Sequence, residues 1–353
     1  MFVSLRLMFA FVATTFLLTS LYIYHDTIHE HVDQISDKLS DVASAKRDSV
    51  IFSLVRNDEL EGILQSIDHL QTRFNNNFNY DWVFANEVPF TDDFKNTINE
   101  RFTSGKAIFA EIPKEYWSYP EHIDQEKAAT TRKEAKYIYG DSESYRFMCR
   151  FNSGYFYKLK ELEPYRYYWR VEPNVKFLCN FVEDPFKVMK ENGYVYGWTM
   201  TMYEFVDTIP TLWDSVKRFI KDKNMNVGEG SNNFMQFLSD DQGNSYNNCH
   251  FWSNFEIADL NFFRSQEYED FFQHLEKDGG FFYERWGDAP VHSIAVGLML
   301  EPEKIHHFAN TGYYHAPNQG CPRGAETRNA LGCECKPRRD WTFNKFSCTP
   351  RYY

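Results

Sequence analysis

Residues 50–85 place the strongest constraint on the fold. The apolar run 50-VIFSLV-55 reads as a strand, and 80-YDWVFA-85 as another. Between them, 57-NDELEGILQSIDHLQTRF-74 carries Leu60, Ile63, Leu64, Ile67 and Leu70 at helical spacing, with Asn57 or Asp58 placed to cap the helix. Strand, helix and strand within about 35 residues make a βαβ unit. Such a unit demands a parallel pair joined by a crossover, and therefore a sheet covered by helices. In sheets of this kind ligands bind outside the C-terminal strand ends. Arg56, just past the first strand, stands at such an end.

Further strand candidates are 167-YYWRVE-172, 194-YVYGWTMTM-202 and 256-EIADLNFF-263, and 267-EYEDFFQHLE-276 has helical spacing. The 353 residues suffice for one large domain or two ordinary ones. Asp and Glu outnumber Lys and Arg, 50 to 38, which argues against a nucleic-acid or other polyanion binder. A nucleotide substrate stays open, because one metal ion offsets a diphosphate. Aromatic residues make up 18% of the chain, enough both to fill a core and to line a sugar or nucleobase pocket.

Residues 7–24, LMFAFVATTFLLTSLYIY, carry no charge. As a helix they extend about 27 Å, close to the hydrocarbon thickness of a bilayer. Arg6 precedes the run, and Asp26, Glu30 and Asp33 follow it, so the positive-inside bias leaves the N-terminus in the cytosol. The expected organisation is a cytosolic tail (1–6), a transmembrane signal anchor (7–24), a polar stem (25–45) and one catalytic-sized domain (46–353). Seven cysteines, four of them in the last forty residues, suit an oxidising lumen. They allow three disulfides and one free thiol, with the pairing open. Cys333 and Cys335, one residue apart without a second close pair, fit disulfides better than zinc.

Polar residues recur at the ends of apolar runs: Arg170 and Glu172 in YYWRVEP, Glu204 in YGWTMTMYE, Glu256 after FWSNF, Asp288 in ERWGDAP, and His306, His307 and His315 in IHHFANTGYYH. Carboxylates converging with histidine suit an oxygen-preferring divalent metal such as Mn²⁺. In a strand, Phe255 and Ile257 point to one face and Glu256 to the other, so Glu256 needs a partner or a use.

Read together, YRFMCRFNSGYFY (145–157), YYWRVEPNVKF (167–177), CHFWSNFEIADLNFFRS (249–265), GGFFYERWGDAPVHSIA (279–295) and GYYH (312–315) resemble the fungal Golgi GDP-mannose-dependent α-1,2-mannosyltransferases, glycosyltransferase family 15. The resemblance runs from about residue 48 to the end, in the same order. It implies a GT-A-like α/β fold with a mixed sheet flanked by helices, a GDP-mannose donor, Mn²⁺, and transfer with retention to mannosylated glycoprotein or glycolipid acceptors. It also implies a type II protein of the Golgi membrane that serves cell-wall mannoprotein synthesis. By motif, Glu256 matches the proposed nucleophile, His315 a metal ligand, and Glu172 the glutamate of a Glu-Pro-Asp signature that holds metal and substrate. Glu204 matches a further metal or substrate contact. Tyr145 and Arg170 line the donor–acceptor site, and Asp288 is a base or acceptor contact. The signature reads Glu-Pro-Asn here. Asn174 brings no charge, and the expectation is that it holds Glu172 or a diphosphate-bound water instead of the metal. A mannosylphosphate transferase and a catalytically silent mannan-binding protein are the alternatives, and the choice between a covalent intermediate and same-face attack is open.

Overall fold

In the computed structural model, residues 48–353 are described apart from Thr103 and Glu229. The expected tail, anchor and stem, residues 1–45, lie outside the described residues. Among those described, no helix is long and apolar enough to cross a membrane.

The strand–helix–strand unit forms where the sequence puts it. In chain order the strands are β1 (Ser49–Leu54), β2 (Asp81–Asn86), β3 (Ala107–Glu111), β4 (Tyr167–Val171), β5 (Lys176–Phe177), β6 (Tyr196–Trp198), β7 (Thr201–Tyr203), β8 (Cys249–Phe251), β9 (Phe255–Asp259), β10 (Ile305–His307), β11 (Tyr313–His315) and β12 (Asn318–Gln319). The longer helices are α1 (Leu60–Leu70), α2 (Asp92–Arg101), α3 (Gln125–Glu134), α4 (Glu143–Gly154), α5 (Pro185–Asn192), α6 (Leu212–Asp222), α7 (Gln266–Asp278) and α8 (Asp288–Met299).

The main sheet has seven strands in the order β10-β6-β9-β4-β1-β2-β3. All neighbouring pairs are parallel except those made by β9, which runs against both β4 and β6. The start of β9 therefore lies at the same edge of the sheet as the ends of the other strands. Alternation divides the side chains between two cores. On one face Ile51, Trp82, Phe84, Trp169, Phe255 and Ile257 pack with Ile63 and Ile67 of α1 and Phe94 of α2. On the other, Val50, Phe52, Val83, Tyr168, Tyr196 and Ala258 pack with Phe151 of α4, Phe272 of α7 and Ile294 of α8. Glu256 faces this second core, opposite to Phe255 and Ile257, as the strand period requires.

Three expectations about local structure need correction. The run 194–202 is two strands: β6 joins the main sheet, and β7 pairs with β8 in a separate ribbon. The run 256–263 leaves the strand at Asp259, whose side chain accepts from the Asn261 N–H at 2.9 Å and caps a short helical turn. Neither break has a proline or glycine to announce it. Asn57 does not cap α1. Its amide instead donates to the Pro89 carbonyl and accepts from the Thr91 N–H, tying the end of β1 to the loop after β2.

Disulfides join Cys179 to Cys333, Cys249 to Cys348 and Cys321 to Cys335, leaving Cys149 free and buried. The C-terminal segment crosses the sheet's β10 side. Tyr352 Oη donates to the Ile305 carbonyl at 2.6 Å, and Tyr353 Oη meets His307 Nδ1 at 2.8 Å, which covers an edge strand.

Helix α4 approaches α7 closely through Gly154, where a Cβ would land within the Phe272 ring. The substitution Gly154→Ala is expected to destabilise the protein by about 1–3 kcal/mol, the usual cost of overpacking a filled core. Urea-denaturation midpoints of the two proteins measure this.

Candidate active site

The site is built around one guanidinium. Arg170 alternates on β4 with Tyr168, so both point to the face carrying Glu256, and in the register Arg170 lies directly opposite Glu256. Its guanidinium nevertheless goes elsewhere. Nη1 donates to Asp288 Oδ2 at 2.5 Å and Nη2 to Glu172 Oε1 at 2.6 Å. Arg170 is 7% exposed. Asp288 is the first residue of α8, and Ser253 in the turn before β9 donates to it at 2.8 Å. Three segments, β4, the β8–β9 turn and α8, are thus fixed together by one ionic cluster.

Charge sets the protonation of this cluster. Burial opposes the ionised form of Glu172, but Arg170 and His315 outweigh it and hold the carboxyl at about 2. Burial likewise works against Asp288, and Arg170 with His292 brings it below its ordinary value. For Arg170, burial lowers the pKa, and the two carboxylates more than reverse that.

His315, at the end of β11, brings Nε2 to 3.4 Å from Glu172 Oε2. Its ring lies edge-on to Trp252 at 4.7 Å. Burial would lower its pKa, but Glu172 and the Ala316 carbonyl raise it. Both side chains are about a quarter exposed, at 28% and 26%. One carboxylate and one imidazole, adjacent and open to solvent on one side, form a donor set that suits Mn²⁺ with further oxygen ligands from a diphosphate. This pair fits the expected metal.

The remaining expected residues divide in two. Glu204 directly follows β7. Its Oε2 lies beside Gly287, and its Oε1 is 3.9 Å from Arg285 Nη2 and accepts from the Phe205 N–H at 2.8 Å. These contacts place it beside Arg285 and the glycine that precedes Asp288. Tyr145, in the first turn of α4, stacks on Tyr139 at 4.5 Å and lies 5.1 Å below the Arg285 guanidinium. Burial above all drives its pKa well up, so the phenol stays protonated. Arg56 donates to Ser144 Oγ at 2.7 Å and pairs with Glu87 at 3.5 Å, one residue from Tyr145.

His306 and His307 do not join the site. The first stacks on Tyr194 and the second on Trp198, where its Nε2 meets the Thr199 carbonyl. Asn174 adopts a left-handed backbone, φ 64°, and its amide lies over Gly62 of α1. The side chains that hold Glu172 are Arg170 and His315, so the expected prop by Asn174 is replaced by these two.

Glu256 is fully enclosed. Tyr168 Oη donates to its Oε1, while Tyr196 Oη donates to Oε2 at 2.6 Å and His292 Nδ1 meets Oε2 at 2.9 Å. Burial raises its pKa and His292 opposes that rise. Sequence reasoning missed Tyr168, Tyr196, His292, Ser253 and Arg285. The i, i+2 spacing of Tyr168 and Arg170, and the i, i+4 spacing of Asp288 and His292, were the available signals. A cavity of about 550 Å³ between Phe181, Val188, Phe308 and Leu331 is lined by His306 and His307 and by none of the groups of the Arg170 and Glu256 clusters.

Carboxylates and a histidine are gathered at the strand-end edge of a mixed α/β sheet, a donor set that suits a divalent cation. Comparison with known proteins makes this specific. The chain belongs to the glycolipid 2-alpha-mannosyltransferase family, which matches residues 22–353. It is a glycosyltransferase. Glycolipid 2-alpha-mannosyltransferase 1 of Candida albicans is 52% identical over 304 residues, covering 85% of this chain and 70% of that protein. Core-mannan synthase A of Aspergillus fumigatus, solved in an Mn/GDP form, superposes with a TM-score of 0.79 at 41% identity, covering 86% of this chain and 84% of that one. The mannosyltransferase Ktr4p of Saccharomyces cerevisiae, in complex with GDP, gives a TM-score of 0.81 at 36% identity over 87% and 82% of the two chains.

The Arg170 cluster predicts a pH signature. Glu172 sits below its ordinary value, so its stabilising contribution is full above about pH 4.5 and is lost as pH falls through about 2. Arg170→Met strands the buried Asp288 and the half-buried Glu172, and about 3–5 kcal/mol of stability is expected to go at neutral pH. In that variant burial raises both carboxyls, so the deficit relative to wild type shrinks as the pH falls through the carboxylate range. Urea midpoints at neutral and mildly acidic pH test the sign.

Proposed function

We propose that this protein is a type II Golgi membrane enzyme with a GT-A-like fold. It transfers mannose from GDP-mannose, with retention, to the 2-hydroxyl of α-mannoside acceptors on glycoproteins or glycolipids. The observation that carries the reading is the Glu172–His315 contact, joined through Arg170 to Asp288, with Glu256 on the same face of the sheet. The charge-free run 7–24 and the three disulfides support the anchored, lumenal topology.

Each side chain has a task in this reaction. Glu172 and His315 would hold Mn²⁺, which when bound offsets the charge of the departing diphosphate. Arg170 keeps Glu172 ionised, so this ligand needs no deprotonation at neutral pH, and it fixes Asp288 beside the reacting sugar. Glu256, enclosed by Tyr168, Tyr196 and His292, would supply negative charge behind an anomeric centre that becomes oxocarbenium-like, the electrostatic part of the second carboxylate's role in retaining glycosidases. Glu204, Arg285 and Tyr145 form the polar end of the array, suited to acceptor hydroxyls.

The test is incubation of the full chain with GDP-mannose, Mn²⁺ and a panel of α-mannosides, followed by linkage analysis; release of mannose-1-phosphate adducts, or no product, counts against it. Glu256→Gln keeps shape and loses charge, so kcat is expected to drop by about 10²-fold or more with little change in GDP affinity. His315→Ala is expected to raise the Mn²⁺ concentration for half-maximal rate, most at low GDP-mannose, because protein and diphosphate share the ion. An unchanged Mn²⁺ requirement would make His315 a packing residue of Trp252.

A further inference from the structure

Glu256 has a partner that the reaction as described leaves unexplained. His292 lies one turn along α8 from Asp288 and is 1% exposed. Its two ring nitrogens face different kinds of group. Nε2 lies 2.9 Å from the Asn152 carbonyl oxygen, and Nδ1 lies 2.9 Å from Glu256 Oε2. A carbonyl only accepts, so Nε2 carries a hydrogen. In a neutral ring that leaves a lone pair on Nδ1, aimed at a carboxylate oxygen. The opposite tautomer moves the clash to Asn152. Either way, a neutral imidazole beside an ionised Glu256 sets two acceptors against each other. The pair must therefore share one additional proton.

Where that proton resides follows from the other donors. Tyr168 and Tyr196 both donate to Glu256, so the carboxyl group receives two hydrogen bonds before His292 is counted. Donors to a carboxyl group favour its ionised form. The rings of Phe156, Phe263 and Tyr268 surround the imidazole, at 6.0, 4.9 and 6.3 Å between centroids, and offer its nitrogens no replacement acceptor. The charged and titratable groups around the pair are Tyr168 from β4, Tyr196 from β6, Tyr268 from α7 and Asp288 from α8 itself, with Arg170 bound to Asp288, and the elements packed against α8 add the buried Cys149 thiol of α4 and the buried His250 of β8. Asp288, tied to Arg170, adds negative charge on the imidazole's side.

We propose that His292 is a positioning residue that holds the proton as imidazolium, so that fully buried Glu256 stays ionised and aimed for mannosyl transfer. This rests on the proposed role of Glu256. Deleting the imidazolium leaves burial opposed only by the two tyrosine hydroxyls, and Glu256 then takes up a proton at neutral pH. The rate lost this way returns as the pH is raised, because the acidic limb of the profile follows the carboxyl group.

The experiment has two arms on the full chain in detergent. In the first, ¹⁵N-histidine spectra are recorded for wild type, His292→Asn (to assign the signal) and Glu256→Gln. Both His292 nitrogens are expected to be protonated at neutral pH in wild type, and the ring is expected to become neutral in Glu256→Gln. A neutral His292 ring in wild type overturns the proposal. In the second, kcat and KM for GDP-mannose are measured against pH. His292→Asn keeps a donor toward Glu256 but has no titratable proton. At mildly acidic pH its kcat is expected to fall by about tenfold or more, recovering toward alkaline pH with KM little changed, since one unit of pKa shift is a factor of ten. A uniform loss at every pH makes His292 merely structural and also overturns the proposal. Should His292→Asn fail to fold, the wild-type and Glu256→Gln spectra still decide the proton's place. Undiminished turnover in Glu256→Gln would remove Glu256 from the reaction, and the spectra distinguish that outcome from a misplaced proton.

Discussion

The bidentate hold of Arg170 on Glu172 and Asp288 is the interaction on which the rest of the site depends. Each of the three charges is expensive to remove from water, by several kcal/mol after relaxation. Together they offset one another, and the geometry is the strong, charge-assisted kind. The cluster carries one net negative charge. His315, raised by Glu172, balances it when protonated. A divalent ion entering beside Glu172 does the same, so the site's electrostatics favour a cation at this point in either state. A hydrophobic replacement of equal volume could make a more stable protein, but it would lose the fixed carboxylates.

Topology explains how so many polar groups reach one edge. Six strands of the main sheet run one way and deliver their ends there. The reversed strand β9 delivers its beginning. Glu256, its second residue, therefore stands beside the end of β4 without a long loop to carry it. Helix α8 then crosses the same face and contributes Asp288 in its first turn and His292 in its second. A site on strands and a buried helix is held more rigidly than one on loops, and the disulfide between Cys249 and Cys348 ties β8, just before this turn, to the C-terminal segment.

Much of this was legible in the sequence, and the reasons are local. The βαβ unit of residues 49–86 shows because Ile63, Leu64, Ile67 and Leu70 repeat at helical spacing between two β-branched and aromatic runs. The alternation around Glu256 correctly placed it opposite Phe255 and Ile257. The pairing of Glu172 with His315 came from matching words, since nothing in spacing brings residues 172 and 315 together. Breaks without glycine or proline, at residues 199–200 and 259–260, could not be read, because tertiary pairing decides them. Nor could the neighbours of Glu256. Tyr168 and Tyr196 look like ordinary core aromatics, and only the fold turns their hydroxyls onto one carboxylate.

Asn174 shows how a departure in sequence loses force once its geometry is known. The turn Glu172–Pro173–Asn174–Val175 needs a residue with positive φ after the proline, and Asn174 has φ 64°. Asparagine is among the few residues other than glycine that adopt this conformation readily. Its N–H donates to the Gly62 carbonyl at 2.9 Å, and its amide lies over the same glycine. Position 174 thus shapes the backbone that aims Glu172, whose own carbonyl accepts from Ser66 Oγ at 2.7 Å. What the turn requires is a left-handed residue small enough to rest on Gly62, and asparagine meets that requirement without a negative charge. The charge proposed to serve a metal sits two residues earlier, where Arg170 and His315 hold it.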